Sequence, residues 1–155
     1  MKRTRAVSIL LKEDEVLLMY RKNTNEYFVF PGGGVEKGET VEQAVIRELK
    51  EEATIEAKIN KLLYSHVYDD DTDQFFYLCD YVSGEPKLEE NSPEKIEMLE
   101  GKEFYNPQWV KVEELNKMLV YPLEIRDLLI EDYKLNFTNP VKMFNFRVSD
   151  LRQSL

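Results

Sequence analysis

The sequence predicts one α+β domain in which a mixed β-sheet packs between helices, as in an α/β/α sandwich. Stretches rich in β-branched and aromatic residues, typical of strands, recur along the whole chain. Helical spacing of apolar residues is confined to a few segments, the clearest of which begins at Thr40. Strands and helices do not alternate regularly, so a purely parallel sheet is disfavoured.

The predicted elements follow in chain order. Thr4–Leu11 and Glu15–Arg21 predict a β-hairpin. Thr40 and Gln43 have the spacing of a capping box, and the helix that they start is expected to end near residues 53–54. Turns are expected at 69–73 and 83–86, and the tail from residue 136 fits no single element. The other predicted strands are Tyr27–Phe30, Ala57–His66, Gln74–Val82 and Asn106–Val112, and the other predicted helices are a short piece after Pro93, Val112–Leu119 and Pro122–Tyr133.

Length and composition fit one globular domain covering residues 1–155. Hydrophobic residues make up 43% of the 155 residues, enough for a core, and charged residues make up 33%. The formal net charge is −9. This acidic balance argues against binding of a nucleic acid polymer or an anionic membrane, because both need Lys and Arg to replace counterions. It is compatible with a phosphate ligand if a bound cation inverts the local field.

The single cysteine and the apolar runs bear on the compartment. Cys79 has no partner for an internal disulfide and lies in an apolar run, which predicts a buried thiol. The apolar run at Ala6–Leu11 is too short for a signal peptide, and no stretch approaches the ~18 apolar residues of a membrane helix. A reducing cytoplasm is therefore expected.

Three glutamates in the main predicted helix carry the chemistry. Glu48, Glu51 and Glu52 stand at i, i+3 and i+4, so they are neighbours on one helix face. That face continues the apolar stripe of the helix, whereas a solvated charged face should lie on the other side. Carboxylates facing a core need compensation, and a divalent cation with oxygen ligands supplies it. The alternative is a surface helix whose last turn is simply acidic.

The segment around these glutamates resembles the Nudix box. That pattern is a glycine, five residues, a glutamate, seven residues, and then R-E-U-x-E-E-x-G-U, where U is a bulky apolar residue. Here the glycine is Gly33 and the first glutamate is Glu39. Residues 47–55 then read R-E-L-K-E-E-A-T-I. Thr54 replaces the last glycine, and every other fixed position matches. Because a β-branched residue is poor in the left-handed conformation that ends many helices, different geometry is expected at Thr54.

The resemblance implies a Nudix-like fold, pyrophosphate hydrolysis and a role for each box residue. Glu48, Glu51 and Glu52 correspond to catalytic and metal-binding glutamates, with Mg²⁺ as the expected ion and Mn²⁺ as a substitute. Arg47 corresponds to an arginine that holds the carboxylates. The set is completed by the carbonyl of Gly32 as a further metal ligand and by Gly33 and Glu39 as residues that organise the loop.

Other site residues are less defined by the pattern. A general base is needed to activate water, and the loop from residue 89 to 103 offers Glu94, Glu97, Glu100 and Glu103, of which Glu100 and Glu103 are favoured by their nearness to the Trp109 strand. Tyr27 and Phe28 adjoin the glycine-rich loop and are candidates for stacking on a nucleobase. Arg3, Arg5 and Arg21 could contact phosphates or be solvated strand residues. His66 is expected to be structural.

The expected function is Mg²⁺-dependent hydrolysis of a nucleoside diphosphate derivative. The small chain favours a nucleoside triphosphate. ADP-ribose or a nucleotide sugar is the first alternative, and a non-catalytic nucleotide-sensing domain is the second. A small-molecule nucleotide is the expected partner, and a homodimer is compatible with the resemblance.

Overall fold

The computed structural model describes residues 3–68 and 72–146. The strands are β1 (Arg3–Lys12), β2 (Glu15–Lys22), β3 (Glu26–Val29), β4 (Gly32–Gly34), β5 (Glu56–Tyr68), β6 (Thr72–Ser83), β7 (Phe104–Lys111), β8 (Val120–Tyr121) and β9 (Lys142–Phe146). The α-helices are α1 (Val41–Ala53), α2 (Pro93–Leu99) and α3 (Leu123–Lys134), and a 3₁₀ helix covers Val112–Lys117. The predicted fold class is confirmed.

The described strands form one curled mixed sheet that separates into two groups beyond its central hairpin. Its order is β8-β3-β2-β1-β6-β5-β9, with β4 added to β1 and β7 added to β2. The hairpin strands pair only at Leu11–Val16 and Lys12–Glu15. Beyond that point β1 pairs with β4 and runs parallel to β6, while β2 pairs with β3 and β7. The hairpin therefore joins two groups of strands, and a cavity lies between these groups where β1 and β2 no longer pair.

Helices cover both faces of the sheet. Along β1, Ala6 and Leu10 pack in one core with α1, whereas Val7 and Ile9 pack in a second core with α3. This alternation follows from the two-residue period of a strand. Leu49 of α1 and Leu129 of α3 are fully buried in the respective cores. The molecule is thus the three-layer sandwich that the sequence predicts.

The predicted capping box starts α1. The backbone N–H of Gln43 donates to Oγ1 of Thr40 over 3.1 Å, and the backbone N–H of Thr40 donates to Oε1 of Gln43 over 2.9 Å. Each bond satisfies a backbone donor at the helix start, and together they set the first turn of the helix that carries the glutamates.

At the other end of α1 the expected change in geometry is wrong, because Thr54 adopts the left-handed conformation (φ 57°, ψ 37°). This conformation costs roughly 1–2 kcal/mol for an L-residue. The hydroxyl of Thr54 offsets part of it by donating to the carbonyl of Lys87 over 2.6 Å. The N–H groups of Lys87 and Glu89 bond the carbonyls of Ala53 and Glu51. The segment after β6 is therefore fastened to the end of the helix.

Several boundaries differ from the predicted ones. The turn expected at 69–73 is wrong for Thr72 and Asp73, which begin β6, and its first three aspartates lie outside the described residues. Residues 112–117 form a 3₁₀ helix rather than the longer helix expected there. The ambiguous tail contributes β9, which runs parallel to β5.

The predicted burial of Cys79 is confirmed. Cys79 is a free, buried thiol, and burial, with the nearby charge of Asp80, raises its pKa to about 12, so it is not a nucleophile at neutral pH.

In the described part of the chain, none of the helices has the length and apolar character needed to cross a membrane.

Two substitutions at Thr54 test how the helix end is stabilised. Thr54→Val keeps the strained β-branched residue and loses the hydroxyl, so it should lower the free energy of unfolding by about 1 kcal/mol. Thr54→Gly loses the same bond but removes the strain, so it should be clearly more stable than the valine variant. Urea unfolding measures both. Equal stability of the valine variant and the wild type would contradict this account.

Candidate functional site

A cavity of about 620 Å³ opens between the two strand groups and the ends of α1 and α2. Such a volume suits a small organic ligand. Its lining combines three carboxylates, two arginines and an apolar, aromatic part. The lining residues are Arg5, Val7, Met19, Arg21, Val29, Phe30, Gly32, Gly33, Gly34, Glu48, Glu52, Gln74, Phe76, Glu94, Tyr105, Tyr121 and Pro122.

Glu48 and Glu52 form the acidic wall of this cavity. They lie on the buried face of α1 and are only 8% and 7% exposed, as expected for carboxylates that continue the apolar stripe. Burial raises the pKa of Glu52 well above its ordinary value, and the negative charges of Glu48 and Glu94 add to the rise. Glu52 accepts a hydrogen bond from the N–H of Gly32 over 3.2 Å. Both carboxylates are therefore poorly solvated, and Glu52 has no ion pair with a cationic side chain among the described residues.

Gly33 makes room for one of these carboxylates. A Cβ atom on Gly33 would lie 2.6 Å from the carboxyl carbon of Glu48, closer than real Cβ contacts. The neighbouring Gly34 has open space at the same position. Gly33, predicted to organise the loop, thus lets the backbone of β4 approach the carboxylate of Glu48.

Arg47 binds three carboxylates of the box, including that of Glu48. Its guanidinium binds both oxygens of Glu39 (2.8 and 3.0 Å), Glu48 (2.9 Å) and Glu51 (3.3 Å), and it also donates to the carbonyl of Gly34 (3.0 Å). The side chain of Arg47 is 22% exposed. The ion pair with Arg47 keeps the pKa of Glu39 below its ordinary value. Glu51 does not line the cavity and is held at its side by Arg47.

Glu94 is the third carboxylate of the cavity. Ser92 caps α2 by accepting from the N–H of Lys95, and Glu94 stands in the first turn. One carboxylate oxygen of Glu94 is buried without a hydrogen-bond partner. Burial raises the pKa of Glu94, and the charges of Glu48 and Glu51 contribute. Glu94 is one of the four loop glutamates that the sequence offers as a base, but the sequence favours Glu100 and Glu103.

The two favoured glutamates lie elsewhere. Glu100 is exposed and pairs with Lys102 over 2.7 Å. Glu103 accepts from Arg21 over 2.8 Å and also from Asn23 and Tyr105, and these hydrogen bonds, that of Tyr105 above all, lower its pKa. Neither of these glutamates lines the cavity. A carboxylate engaged in this way is a poor proton acceptor.

Tyr105 connects this network to α2. Its hydroxyl lies within hydrogen-bonding distance of both Glu103 and Glu97 of α2, 2.6 Å from the latter, so the two carboxylates share its proton. Met98 of α2 packs near Tyr105 and Met19. These contacts fix α2 against β7, and so they fix the direction from which Glu94 enters the cavity.

The aromatic side chains of the cavity are not the two chosen from the sequence. Phe28 packs against the core beside Tyr20, with ring centroids 5.3 Å apart. Tyr27 lies outside the cavity but contacts one of its lining rings, Tyr121, at 5.8 Å. Phe30, Phe76, Tyr105 and Tyr121 line the cavity instead. No local sequence signal marks them, because the end of β3 and the strands β6, β7 and β8 are brought together only by the sheet.

His66 lies outside the cavity, in the core. It is fully buried in β5 and packs against Phe76 and Phe144, with ring centroids 5.3 and 5.4 Å away. Burial lowers its pKa to about 4, which keeps the ring neutral at physiological pH. The geometry fits the structural role expected for it.

The donor set of the cavity suits a hard divalent cation. Among residues 3–68 and 72–146, no three acidic, histidine or cysteine side chains are already arranged as a complete ion shell. Two buried carboxylates, an orphaned oxygen on Glu94 and backbone groups of the glycine strand nevertheless face one space. Oxygen ligands of this kind favour Mg²⁺ or Mn²⁺ over softer metals.

Comparison with known proteins gives the family. A model of the NUDIX domain matches residues 2–129, which is most of the chain. This chain therefore belongs to the Nudix family, as the box predicts. Nudix hydrolases generally use divalent metal ions, in agreement with the donor set of the cavity.

Three similar proteins are named as a pyrophosphatase, a phosphohydrolase and a diphosphatase. An ADP-ribose pyrophosphatase of Methanocaldococcus jannaschii is 39% identical over 93 residues, which cover 56% of this chain and 55% of that protein. The chain thus spans about half the length of this relative. A human diphosphoinositol polyphosphate phosphohydrolase is 30% identical over 80% of this chain and 71% of its own. An Escherichia coli 8-oxo-dGTP diphosphatase is 35% identical over 57% and 74%.

Solved structures support the fold. A NUDIX hydrolase from Nitrosomonas europaea superposes with a TM-score of 0.72 over 94% of this chain and 79% of its own, at 15% identity. A NUDIX-family hydrolase from Clostridium perfringens gives 0.67 over 87% and 98%, at 19% identity. At such identities the likeness shows the fold alone.

The space at Gly33 can be tested with its neighbour as the control. Gly33→Ala should displace the carboxylate of Glu48 and weaken Mn²⁺ binding at least tenfold, while the free energy of unfolding changes by no more than about 1 kcal/mol. Gly34→Ala should leave both unchanged, because nothing lies near its Cβ position. Calorimetric titration with Mn²⁺ measures the difference. Equal Mn²⁺ affinities for the two variants would contradict the role assigned to Gly33.

Proposed function

We propose that this protein hydrolyses a pyrophosphate bond in a nucleoside diphosphate derivative with the help of Mg²⁺. The main observation behind this proposal is that Glu48 and Glu52 lie buried on one wall of a cavity, beside the glycines of β4. Arg47 binds Glu48, but Glu52 has no cationic partner among the described residues, and a carboxylate that has lost most of its hydration is costly without one. The names of the relatives support the same reaction class.

Glu48 and Glu52 are the proposed ligands of the ion, with Glu51 and the carbonyl of Gly32 as further ligands suggested by the box. Bound Mg²⁺ would neutralise the diphosphate and make its phosphorus more electrophilic, and Mn²⁺ can substitute for it. Arg47 has a positioning role, because it binds Glu48 and Glu51 without lining the cavity itself. The N–H of Gly32 orients Glu52.

Glu94 is the proposed general base, in place of Glu100 and Glu103. Its orphaned oxygen and its raised pKa suit a group that takes a proton from water. In the proposed step, the water oxygen bonds to phosphorus, the bridging P–O bond breaks, and the proton passes to Glu94. The leaving group is a phosphate or a nucleotide.

The lining favours a nucleoside at the other end of the substrate. Phe30, Phe76 and Tyr121 offer apolar and aromatic surface to a base, and Tyr27 extends this surface through its contact with Tyr121. A highly phosphorylated inositol would need many cations, whereas the lining holds two arginines, one of them paired with Glu103. A nucleoside triphosphate and ADP-ribose therefore remain the two substrates to compare.

A non-catalytic sensing domain is the competing function. It would need a cavity for the nucleotide, but it would not need two buried carboxylates and a third with an orphaned oxygen beside them.

We further propose that the chain acts as a single domain in the cytoplasm, where a lone thiol such as Cys79 stays reduced. A homodimer is compatible with this proposal.

A substrate panel tests the reaction. With Mg²⁺, the wild type should release phosphate, pyrophosphate or a nucleoside monophosphate from at least one of dGTP, 8-oxo-dGTP, ADP-ribose and a UDP-sugar. Glu52→Gln should reduce kcat at least a hundredfold, because it removes a cation ligand. Glu56→Gln, an exposed neighbour beyond the helix, is the control and should retain full activity. No turnover across the panel, or full turnover by Glu52→Gln, would overturn the proposal.

The general base is tested by three matched variants. Glu94→Gln should lower kcat about a hundredfold or more, with little change in KM, because only proton transfer is removed. Glu100→Gln should behave like the wild type. Glu103→Gln should have a smaller effect, through its hydrogen bonds to Arg21 and Tyr105. If Glu100→Gln or Glu103→Gln lost more activity than Glu94→Gln, Glu94 would not be the base.

A further inference from the structure

Arg5 is an uncommitted cation inside the cavity. Three other described arginines are held by carboxylates: Arg21 by Glu103, Arg47 by the box glutamates and Arg126 by Asp127. Within the part of the chain that the structure describes, Arg5 makes no ion pair and no side-chain hydrogen bond, although it is half-buried and lines the cavity. A guanidinium that has lost part of its hydration without gaining a partner is poised for an external anion.

Gln74 lies next to it in the same condition. In the parallel pairing of β1 and β6, Arg5 stands opposite Gln74, and Val7 stands opposite Phe76. All four line the cavity, so their side chains share one face of the sheet. Neighbouring strands are about 5 Å apart, which brings the two polar side chains within reach of one ligand group. The side chain of Gln74 also lacks a hydrogen-bond partner among the described residues.

The pair lies close to the acidic wall without neutralising it. Arg5 also pairs in register with Gly34 of β4, the residue after Gly33, which contacts Glu48. Arg5 nevertheless forms no ion pair with Glu48, Glu52 or Glu94. It is therefore near enough to act on the same ligand as these carboxylates, but it is not their counter-ion.

We propose that Arg5 and Gln74 form a subsite for a second phosphate of the substrate, the one that is not attacked. The planar guanidinium offers parallel N–H donors that match two phosphate oxygens, and the amide of Gln74 adds another donor. The inference rests on the proposed function, because it assigns the carboxylate wall to the attacked phosphate. It makes Arg5 a specificity residue that selects diphosphate-containing ligands over monophosphates.

A binding measurement without turnover tests this subsite. The probe is the ADP analogue in which a methylene group bridges the two phosphorus atoms, titrated calorimetrically in the presence of Mg²⁺. Arg5→Gln should weaken its binding at least tenfold, a change of about 1.4 kcal/mol. Arg5→Lys should recover part of the loss, because it keeps the charge but not the planar fork. Gln74→Leu should cause a smaller loss.

Three controls separate binding from other effects. Lys58→Gln removes one positive charge at an exposed position outside the cavity and should bind the analogue like the wild type. The Arg5→Gln variant should unfold at the wild-type urea concentration, because Arg5 has no partner within the described chain to lose. Its Mn²⁺ affinity should also be unchanged if Arg5 acts on phosphate rather than on the carboxylates.

The outcomes distinguish the subsite from the reaction. Wild-type affinity of Arg5→Gln for the analogue, or a change confined to Mn²⁺ affinity, would overturn the subsite alone. The same holds if the wild type does not bind the analogue at millimolar concentration. A wild type that binds the analogue through Arg5 but cleaves no member of the substrate panel would contradict hydrolysis and leave the subsite standing.

Discussion

The carboxylates of Glu39, Glu48 and Glu51 converge on one guanidinium, that of Arg47. Because the same group also binds the carbonyl of Gly34, it ties the glycine strand, the loop at Glu39 and the helix into one unit. Arg47 itself does not line the cavity, and its positive charge is shared among these three carboxylates. Glu52 and Glu94 are left without a cationic partner among the described residues. The site thus combines a rigid frame with uncompensated negative charge in the cavity.

The charges that line the cavity can be divided into those that are paired within the protein and those that are not. Arg21 is neutralised by Glu103 and stacks near Tyr27 and Tyr105, so its charge supports the wall rather than attracting a ligand. Glu52 and Glu94 have no cationic partner among the described residues, and Arg5 has no anionic one, so the cavity favours a ligand that carries both charges. A metal–diphosphate complex carries both charges in one ligand, whereas either ion alone would satisfy only half of the lining.

The sequence predicted those parts that are encoded locally. The hairpin, the capping box at Thr40 and the glutamate face of α1 each depend on spacing within a few residues, and all are present. The box also gave the family. Contacts between distant segments were not legible: nothing near Glu94 distinguishes it from Glu100 or Glu103, since only the docking of α2 on β7 selects it. The wrong expectation at Thr54 has the same origin, because its partner Lys87 is 33 residues away.

The fastening of residues 87–89 to the end of α1 couples local stability to the site. The helix-end carbonyls, the hydroxyl of Thr54 and the amides of Lys87 and Glu89 open or close together, because each bond loses its partner when the other segment moves. Gly84 permits this contact, since a Cβ there would lie 2.6 Å from the carbonyl oxygen of Thr54. Fraying of the last helical turn and release of the segment that leads to Glu94 are therefore one cooperative event, a single foldon with a common exchange rate.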